Sequence, residues 1–176
     1  QGVVSYEPTE LVVTARTGTP LVELEQTLAE SRQMLPFEPP AFGAGATIGG
    51  TIACGFSGPA RPYRGAARDF ILGVNCVSGR GEYLRFGGQV IKNVAGYDVS
   101  RLMVGAMGTL GVMTEVSLKV LPLPVIERTL VFDCSGNDAL VKMNELGGRP
   151  LPVTGTTWHD GKLRVRLSGS ESAVES

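Results

Sequence analysis

Two glycine-rich blocks constrain this chain more than any other feature. The first is GAGATIGG at residues 43–50, and the second is GAMGTLGVMTEVSLKV at residues 105–120. Glycine has no Cβ, so its backbone can turn through positive φ and point its N–H group at an anion. Neither block has the GKS or GKT ending of a nucleotide triphosphate loop, and neither is a GxGxxG motif. The blocks predict a backbone that approaches either a bound ligand or, as the alternative, a neighbouring strand.

The first block also predicts the start of a helix. Proline and glycine mark residues 35–45 as a loop, after which Thr47 can cap a short helix at residues 48–54. A helix that begins inside a glycine-rich loop leaves N–H groups unpaired, and such groups attract a phosphate. We therefore expect free N–H groups at the start of this helix.

The pattern before residue 122 predicts a sheet with flanking helices. Thr19 is expected to cap a helix that carries Leu21, Leu24, Leu28 and Met34 on one face, and Asp98 to cap a shorter one. Apolar alternation and β-branched runs predict strands at residues 69–78, 83–86 and 112–121. Residues 3–6 and 11–16 are expected to form either two strands or one strand with a break.

The prolines of LPLP at residues 121–124 predict a domain boundary, because proline cannot donate to a central strand ladder. Beyond it we expect strand 125–132, a helix that starts near Ser135 or Asn137 and ends at Gly147 and Gly148, and strands 153–158 and 163–167. This βαββ order is that of a small α+β unit without a second helix.

Amino-acid composition and charge exclude some classes of function. With 43% hydrophobic residues and a net charge of −1 over 176 residues, the chain lacks the basic patch of a nucleic-acid-binding protein. No apolar run reaches the roughly 20 residues that cross a bilayer, and the first residues do not resemble a signal peptide, so we expect a cytoplasmic protein. The three cysteines, Cys54, Cys76 and Cys134, are widely spaced and predict buried thiols with no metal site.

Three longer segments together resemble a known family: SYEPTELVVTARTGTPLVELEQTL, GAGATIGGTIACGFSGPARPYRGAARDF and FGGQVIKNVAGYDVSRLMVGAMGTLGVMTEVSLKVLPLP. They are similar to the FAD-binding E subunits of bacterial glycolate oxidases, within the vanillyl-alcohol-oxidase or PCMH-type flavoprotein superfamily. The resemblance implies an α+β fold. Residues 1–122 are expected to form a PCMH-type FAD-binding domain that has a mixed or antiparallel sheet with flanking helices and lacks its N-terminal phosphate-loop subdomain. Residues 123–176 are expected to form part of a small cap.

The same resemblance implies which residues contact FAD. Carried over position by position, they are Gly43, Ala44, Gly45, Ala46, Thr47, Ile48, Gly49, Gly50, Cys54, Gly55, Ser57, Gly58, Gly65, Gly108, Thr109, Leu110, Gly111 and Val112. Met107 stands where the family usually has glutamate. If the upstream phosphate loop is absent, FAD binding is expected to be weak or lost. Without an HxxC attachment motif, the flavin is expected to be noncovalent.

As an activity, the resemblance implies a glycolate oxidase subunit that contributes to oxidation of glycolate to glyoxylate and passes electrons to an acceptor. The implied partners are a sister flavin subunit and an iron–sulfur subunit, through which the protein could associate with a membrane. Two alternatives remain: a fragment of a stand-alone D-lactate or 2-hydroxy-acid dehydrogenase, and a flavin-fold interaction subunit without redox activity. We assign no catalytic residue.

Some residues keep two interpretations. Arg61, Arg64 and Arg68 are either solvated loop charges or counter-charges for a phosphate or carboxylate. The segment KNVAGYD at residues 92–98 is either a turn with a helix cap or an edge of the flavin site. His159, the single histidine, is expected in a surface turn, and Trp158 is expected in the core or an interface of the cap.

Overall fold

The computed structural model describes residues 1–88 and 98–175. The chain divides into two compact units: Gln1–Gly58 with Gly65–Pro122, and Pro59–Arg64 with Leu123–Ser176. Each unit combines an antiparallel sheet with helices, so the α+β prediction is confirmed. Most of the KNVAGYD segment lies outside the described residues.

The first unit is built on a five-stranded antiparallel sheet. Its strands, with a separate short pair, are β1 (Val3–Glu7), β2 (Val12–Arg16), β3 (Gln33–Met34), β4 (Ile71–Val77), β5 (Tyr83–Gly87), β6 (Val112–Lys119) and β7 (Leu121–Pro122). The order in the large sheet is β1-β2-β6-β4-β5, and β3 pairs with β7. The predicted hairpin between the fourth and fifth strands is confirmed, with Val77 opposite Tyr83.

Short helices cover one face of this sheet and close the core. The helices up to residue 103 are α1 (Leu21–Glu30), α2 (Ile48–Cys54), α3 (Arg61–Arg64), α4 (Ala67–Phe70) and α5 (Val99–Met103), of which α3 belongs to the second unit. Leu24 and Leu28 of α1 and Ile52 of α2 are fully buried against Val13 of β2 and Leu118 of β6. Their regular apolar spacing is what orients α1 and α2 on the sheet.

The second unit has a three-stranded antiparallel sheet. Its elements are β8 (Ile126–Asp133), α6 (Gly136–Gly147), β9 (Val153–His159), β10 (Lys162–Gly169) and α7 (Glu171–Glu175), with the strand order β8-β10-β9. Ala139 of α6 packs on Leu163 and Val165. Helix α3 lies against β9, where the Tyr63 hydroxyl is 3.2 Å from the Thr156 hydroxyl.

The structure confirms some of the predicted helix caps and contradicts one. Thr47 accepts from the Gly50 N–H at 3.2 Å and Asp98 accepts from the Arg101 N–H at 3.1 Å, which confirms both caps. Ser135 caps α6 in the same way. The cap at Thr19 is wrong: α1 begins after Pro20, and the Thr19 hydroxyl instead accepts from the Gly2 N–H at 2.9 Å.

Other element predictions require correction. Met34 is not on the face of α1 but in β3, because Leu121 pairs with it. Residues 69 and 70 end α4 rather than starting a strand, since the Asp69 carboxylate accepts from the Ala66 N–H at 2.9 Å and holds the turn. Arg61, Arg64 and Arg68 lie in short helices rather than a loop. The second unit does contain a second helix, α7.

Across residues 1–88 and 98–175, every helix is too short or too polar to cross a lipid bilayer.

Candidate functional site

The two glycine-rich blocks meet at α2. The N–H groups of Gly105 and Met107 donate to the carbonyls of Ile52 and Ala53 at 3.0 and 2.8 Å. Gly55, with φ of 67°, closes the same helix end by donating to the Ile52 carbonyl. The second block therefore caps the helix that the first block begins, and the structure brings together the two stretches that the sequence singled out.

The start of α2 differs from the sequence prediction. Its N–H groups are not free: Ile48 donates to the Thr19 carbonyl at 3.0 Å, and Gly49 donates to the Thr17 carbonyl at 2.8 Å. The Gly50 N–H is taken by the Thr47 hydroxyl. The prediction of an open helix start is wrong, because a segment about 30 residues upstream supplies the acceptors.

Free N–H groups lie instead in the turn before α2. Ala46 donates to the Gly43 carbonyl at 3.1 Å and closes this turn. The N–H groups of Gly43, Ala44 and Gly45 make no hydrogen bond to any other described residue. Successive free backbone donors of this kind can bind an anion or a carbonyl oxygen.

Two adjoining cavities flank α2, and together we call them the α2 cleft. One, of about 400 Å³, is lined by Pro40, Phe42, Gly43, Gly45, Ala46, Thr47, Gly50, Thr51, Cys54 and Phe56. The other, of about 380 Å³, is lined by Thr17, Gly18, Thr47, Gly49, Gly50, Ala53, Gly108, Gly111, Val112 and Met113. Each has the size of a small-ligand pocket, and the shared residues Thr47 and Gly50 join them.

Glycines at the cleft fall into two physical classes. A Cβ at Gly49 would lie 2.5 Å from Thr17 Cβ and 2.6 Å from its carbonyl oxygen, so protein packing alone requires glycine there. Gly111 is similar, with a Cβ 2.8 Å from the Val77 carbonyl oxygen. At Gly45 and Gly108 an added Cβ would meet nothing within 4 Å. These two positions leave room for a ligand.

Several residues carried over from the family do not line the cleft. The Ile48 side chain is fully buried in the core. Ser57 accepts from the Ala67 N–H at 2.9 Å, and Gly58 packs against the Glu38 carbonyl. Gly65 has φ of 109° beside Asp69, and Thr109 bonds to the Ala106 carbonyl. Ala44, Gly55 and Leu110 are also absent from the lining. A cofactor contact at these positions stays a prediction.

Sequence reasoning missed part of the lining. Phe42, 79% exposed, stacks edge-to-face on Phe56 with ring centroids 5.3 Å apart. An exposed aromatic directly before the glycine block was the available signal. Thr17 and Gly18 had none, because they reach the cleft only through sheet pairing: the Thr17 N–H donates to the Thr114 carbonyl of β6.

The lining determines what the cleft can do chemically. None of its residues carries a charge, and its polar groups are backbone amides, threonine hydroxyls and one thiol. Among the described residues, no cluster of three histidine, cysteine, aspartate or glutamate side chains could hold a metal ion. His159 is exposed, as expected, but it is the last residue of β9 and the predicted turn begins only at Asp160. The cleft is therefore suited to hold a flat, partly apolar group, and its own residues supply no acid or base.

Cys54 departs from the prediction of buried thiols. It is exposed in the cleft, whereas Cys76 is 3% exposed and burial raises the pKa of the Cys76 thiol. A raised pKa leaves less reactive thiolate at neutral pH. We expect iodoacetamide to alkylate Cys54 in the native chain while Cys76 stays unmodified, measured by mass spectrometry of timed samples. Cys54→Ser is the control, and equal reaction of both thiols would contradict the burial pattern.

Comparison with known proteins gives the class first. Residues 1–87 match the family described as an FAD binding domain. The fold is also that of alkyldihydroxyacetonephosphate synthase, a solved structure with a TM-score of 0.75 and 19% identity that aligns with 99% of this chain and 38% of its own. The chain belongs to the PCMH-type FAD-binding superfamily.

Curated relatives are more specific. The chain is 52% identical over all 176 residues to the glycolate oxidase subunit GlcE of Escherichia coli, and it spans 50% of that protein. It is 32% identical over 129 residues to the glycolate oxidase subunit GlcD of Bacillus subtilis, covering 73% of this chain and 27% of the relative. A D-lactate dehydrogenase of Anaerostipes hadrus is 34% identical over 74% of this chain and 27% of its own length.

Proposed function

We propose that this chain is part of the FAD-binding subunit of a glycolate oxidase, an FAD-dependent oxidoreductase that converts glycolate to glyoxylate. The observation that carries the proposal is the 52% identity to GlcE over all 176 residues of the chain. The α2 cleft supports it, because the cavity lined by residues 40–56 lies within residues 1–87, which match an FAD binding domain.

FAD suits the residues of the cleft. We propose that the turn at residues 43–45 donates its free N–H groups to the cofactor, that Thr47 and Gly50 hold it at the middle of the cleft, and that Gly108 gives it room beside the second block. When bound, FAD supplies the electron acceptor for oxidation of a hydroxy acid. The chain's own contribution is to bind and orient the cofactor through backbone groups.

The cradle described here lacks charge compensation for the phosphates. No lysine or arginine lines the α2 cleft, and the start of α2 is already occupied by protein carbonyls. A bound dinucleotide needs donors or cations at its phosphates. We therefore propose that residues 1–122 are the larger part of a PCMH-type domain whose phosphate loop lies elsewhere in the full-length subunit.

The second unit fits the proposed role of a partial cap. Its edge strand β8 is exposed along most of its length, and Leu130 and Phe132 are 44% and 38% exposed. An open apolar edge strand is unfavourable in isolation and is usually covered. We propose that residues 123–176 are completed by a further part of the subunit.

The mode of flavin binding, the cellular location and the partner subunits are proposed from the resemblance to the family. FAD is held noncovalently, and the subunit works in the cytoplasm with a sister flavin subunit and an iron–sulfur subunit. Acid precipitation tests the first point: released yellow flavin in the supernatant is expected, and flavin retained in the pellet would show a covalent link.

The affinity for FAD tests the cofactor assignment. We expect quenching of flavin fluorescence on titration with a form extended upstream by about 50 residues, a length that can hold a strand and a loop. The 176-residue chain should bind FAD far more weakly, because no lysine or arginine lines its cleft. Failure of both forms to bind would overturn the cofactor assignment.

One observation favours a second candidate, an interaction subunit without redox activity. Met107 takes the place of a polar family residue, is 73% exposed with φ of 51°, and no acid or base lines the cleft. Flavin analysis of the intact complex separates the candidates: a flavin stoichiometry that leaves this subunit empty would favour the interaction role.

A further inference from the structure

Two exposed aromatic rings lie together at one wall of the α2 cleft. Phe42, in the loop before the first glycine block, is 79% exposed, and Phe56, two residues after α2, is 38% exposed. Their ring centroids are 5.3 Å apart and the ring planes meet at 73°, an edge-to-face arrangement. Neither residue is among those that the family resemblance predicts to contact FAD, so the proposed function gives these rings no role.

The two rings differ in how they are held. The Phe56 N–H donates to the Thr51 carbonyl at 3.0 Å, directly after Gly55 closes α2, so the backbone of Phe56 is fixed to that helix. Within the described part of the chain, Phe42 belongs to neither apolar core, and its ring pairs with that of Phe56 alone. Exposed apolar surface at the wall of a cleft is typical of a ligand site.

The cavity beside these rings has both an apolar and a hydrogen-bonding part. Pro40, Phe42 and Phe56 form apolar wall around a volume of about 400 Å³. The turn at residues 43–45 brings three N–H groups that bond to no other described residue, and Thr47 adds a hydroxyl. No lysine or arginine of the described chain lines this cavity, so a charged group inside it would have no counter-charge.

Of the parts of FAD, the flavin ring matches this lining. It is a flat, uncharged three-ring system with an apolar end and an end that carries carbonyl oxygens. The apolar end can pack on an aromatic side chain, and the carbonyl oxygens can accept from free backbone N–H groups. The adenine ring has no carbonyl oxygen, and the diphosphate carries charges that no lysine or arginine of this lining offsets.

We propose that Phe42 packs its ring against the flavin ring of bound FAD, and that Phe56 holds Phe42 in that position. This role rests on the proposed function, since it requires FAD to bind in the α2 cleft. Phe42 binds and orients the flavin and supplies no proton. Contact with the flavin would also remove from water the ring that is 79% exposed in the free chain.

The first test is the affinity of the upstream-extended form for FAD, measured by flavin fluorescence quenching. Phe42→Leu keeps an apolar side chain but removes the ring, and it should weaken FAD binding by about tenfold. Phe42→Tyr keeps the ring and should bind like the unmodified form. Tyr83→Leu is the matched control, because Tyr83 is a 52% exposed aromatic residue of β5 that lines neither cavity of the α2 cleft. Its affinity for FAD should be unchanged.

Phe42→Trp gives a readout that does not depend on affinity. An indole stacked on a flavin ring produces a long-wavelength charge-transfer absorption band that neither ring has alone. Bound FAD should show this band in Phe42→Trp and not in Tyr83→Trp. The native Trp158 is present in every variant and therefore cannot account for a difference between them.

The outcomes separate the role of Phe42 from the proposed function. Unchanged FAD affinity in Phe42→Leu, or absence of the new band from Phe42→Trp, would overturn the role of Phe42 while FAD could still bind in the α2 cleft. Failure of the unmodified extended form to bind FAD would instead overturn the cofactor assignment, and the role of Phe42 with it.

Discussion

Replacing Gly49 by alanine is expected to lower the free energy of unfolding by about 3 kcal/mol. The new Cβ would overlap both the side chain and the carbonyl of Thr17, at 2.5 and 2.6 Å. The carbonyl cannot rotate away, because it accepts the Gly49 N–H at 2.8 Å, and Thr17 is itself tied to β6 through its N–H. The added methyl therefore separates α2 from the sheet.

Urea denaturation followed by circular dichroism measures this change. Gly79→Ala is the matched control, since a Cβ at Gly79 meets nothing within 4 Å and its φ is compatible with alanine. The control should stay within about 0.5 kcal/mol of the unmodified chain. If Gly49→Ala is as stable as Gly79→Ala, the close contact between α2 and the Thr17 segment is wrong.

Replacing Gly45 by aspartate is expected to weaken FAD binding to the extended form by at least about 100-fold, or roughly 2.7 kcal/mol. Gly45 lines the cleft, a Cβ there meets nothing within 4 Å, and its N–H makes no hydrogen bond within residues 1–88 and 98–175. A carboxylate at this wall would repel the anionic cofactor in a cleft that no lysine or arginine lines. The fold itself should not change.

Two variants separate the causes. Gly45→Asn adds nearly the same volume without charge and should lose less affinity, while Gly79→Asp adds the same charge in the hairpin turn and should bind FAD normally. Flavin fluorescence quenching measures all three. Normal FAD affinity in Gly45→Asp would mean that the α2 cleft is not where the cofactor lies.

Local signals in the sequence were sufficient where the structure depends on neighbouring residues. Thr47, Asp98 and Ser135 were found as caps because a cap bonds to a residue three positions along the chain. Thr19 looked equally suitable, yet its hydroxyl is taken by Gly2, a residue 17 positions upstream. Met34 fails for the same reason, since its strand partner is Leu121.

Prediction of the candidate site failed for the same reason, where the partner of a residue is distant in the sequence. Both glycine blocks were recognised, but the sequence could not separate Gly49, which packing against Thr17 requires, from Gly45, which leaves open space. The expectation of free N–H groups at α2 failed because Thr17 and Thr19 supply acceptors through tertiary structure. Hydrogen-bond partners that sheet pairing brings together are distant in the sequence, so local residue spacing does not reveal them.

The short stretch Pro59–Arg64 affects how the second unit can be separated from the first. It interrupts the first unit's sequence but belongs to the second, where Tyr63 meets Thr156. A gene segment that starts at Leu123 would therefore encode a sheet without one of its helices. An exchange of the second unit between proteins would therefore have to carry both Pro59–Arg64 and Leu123–Ser176.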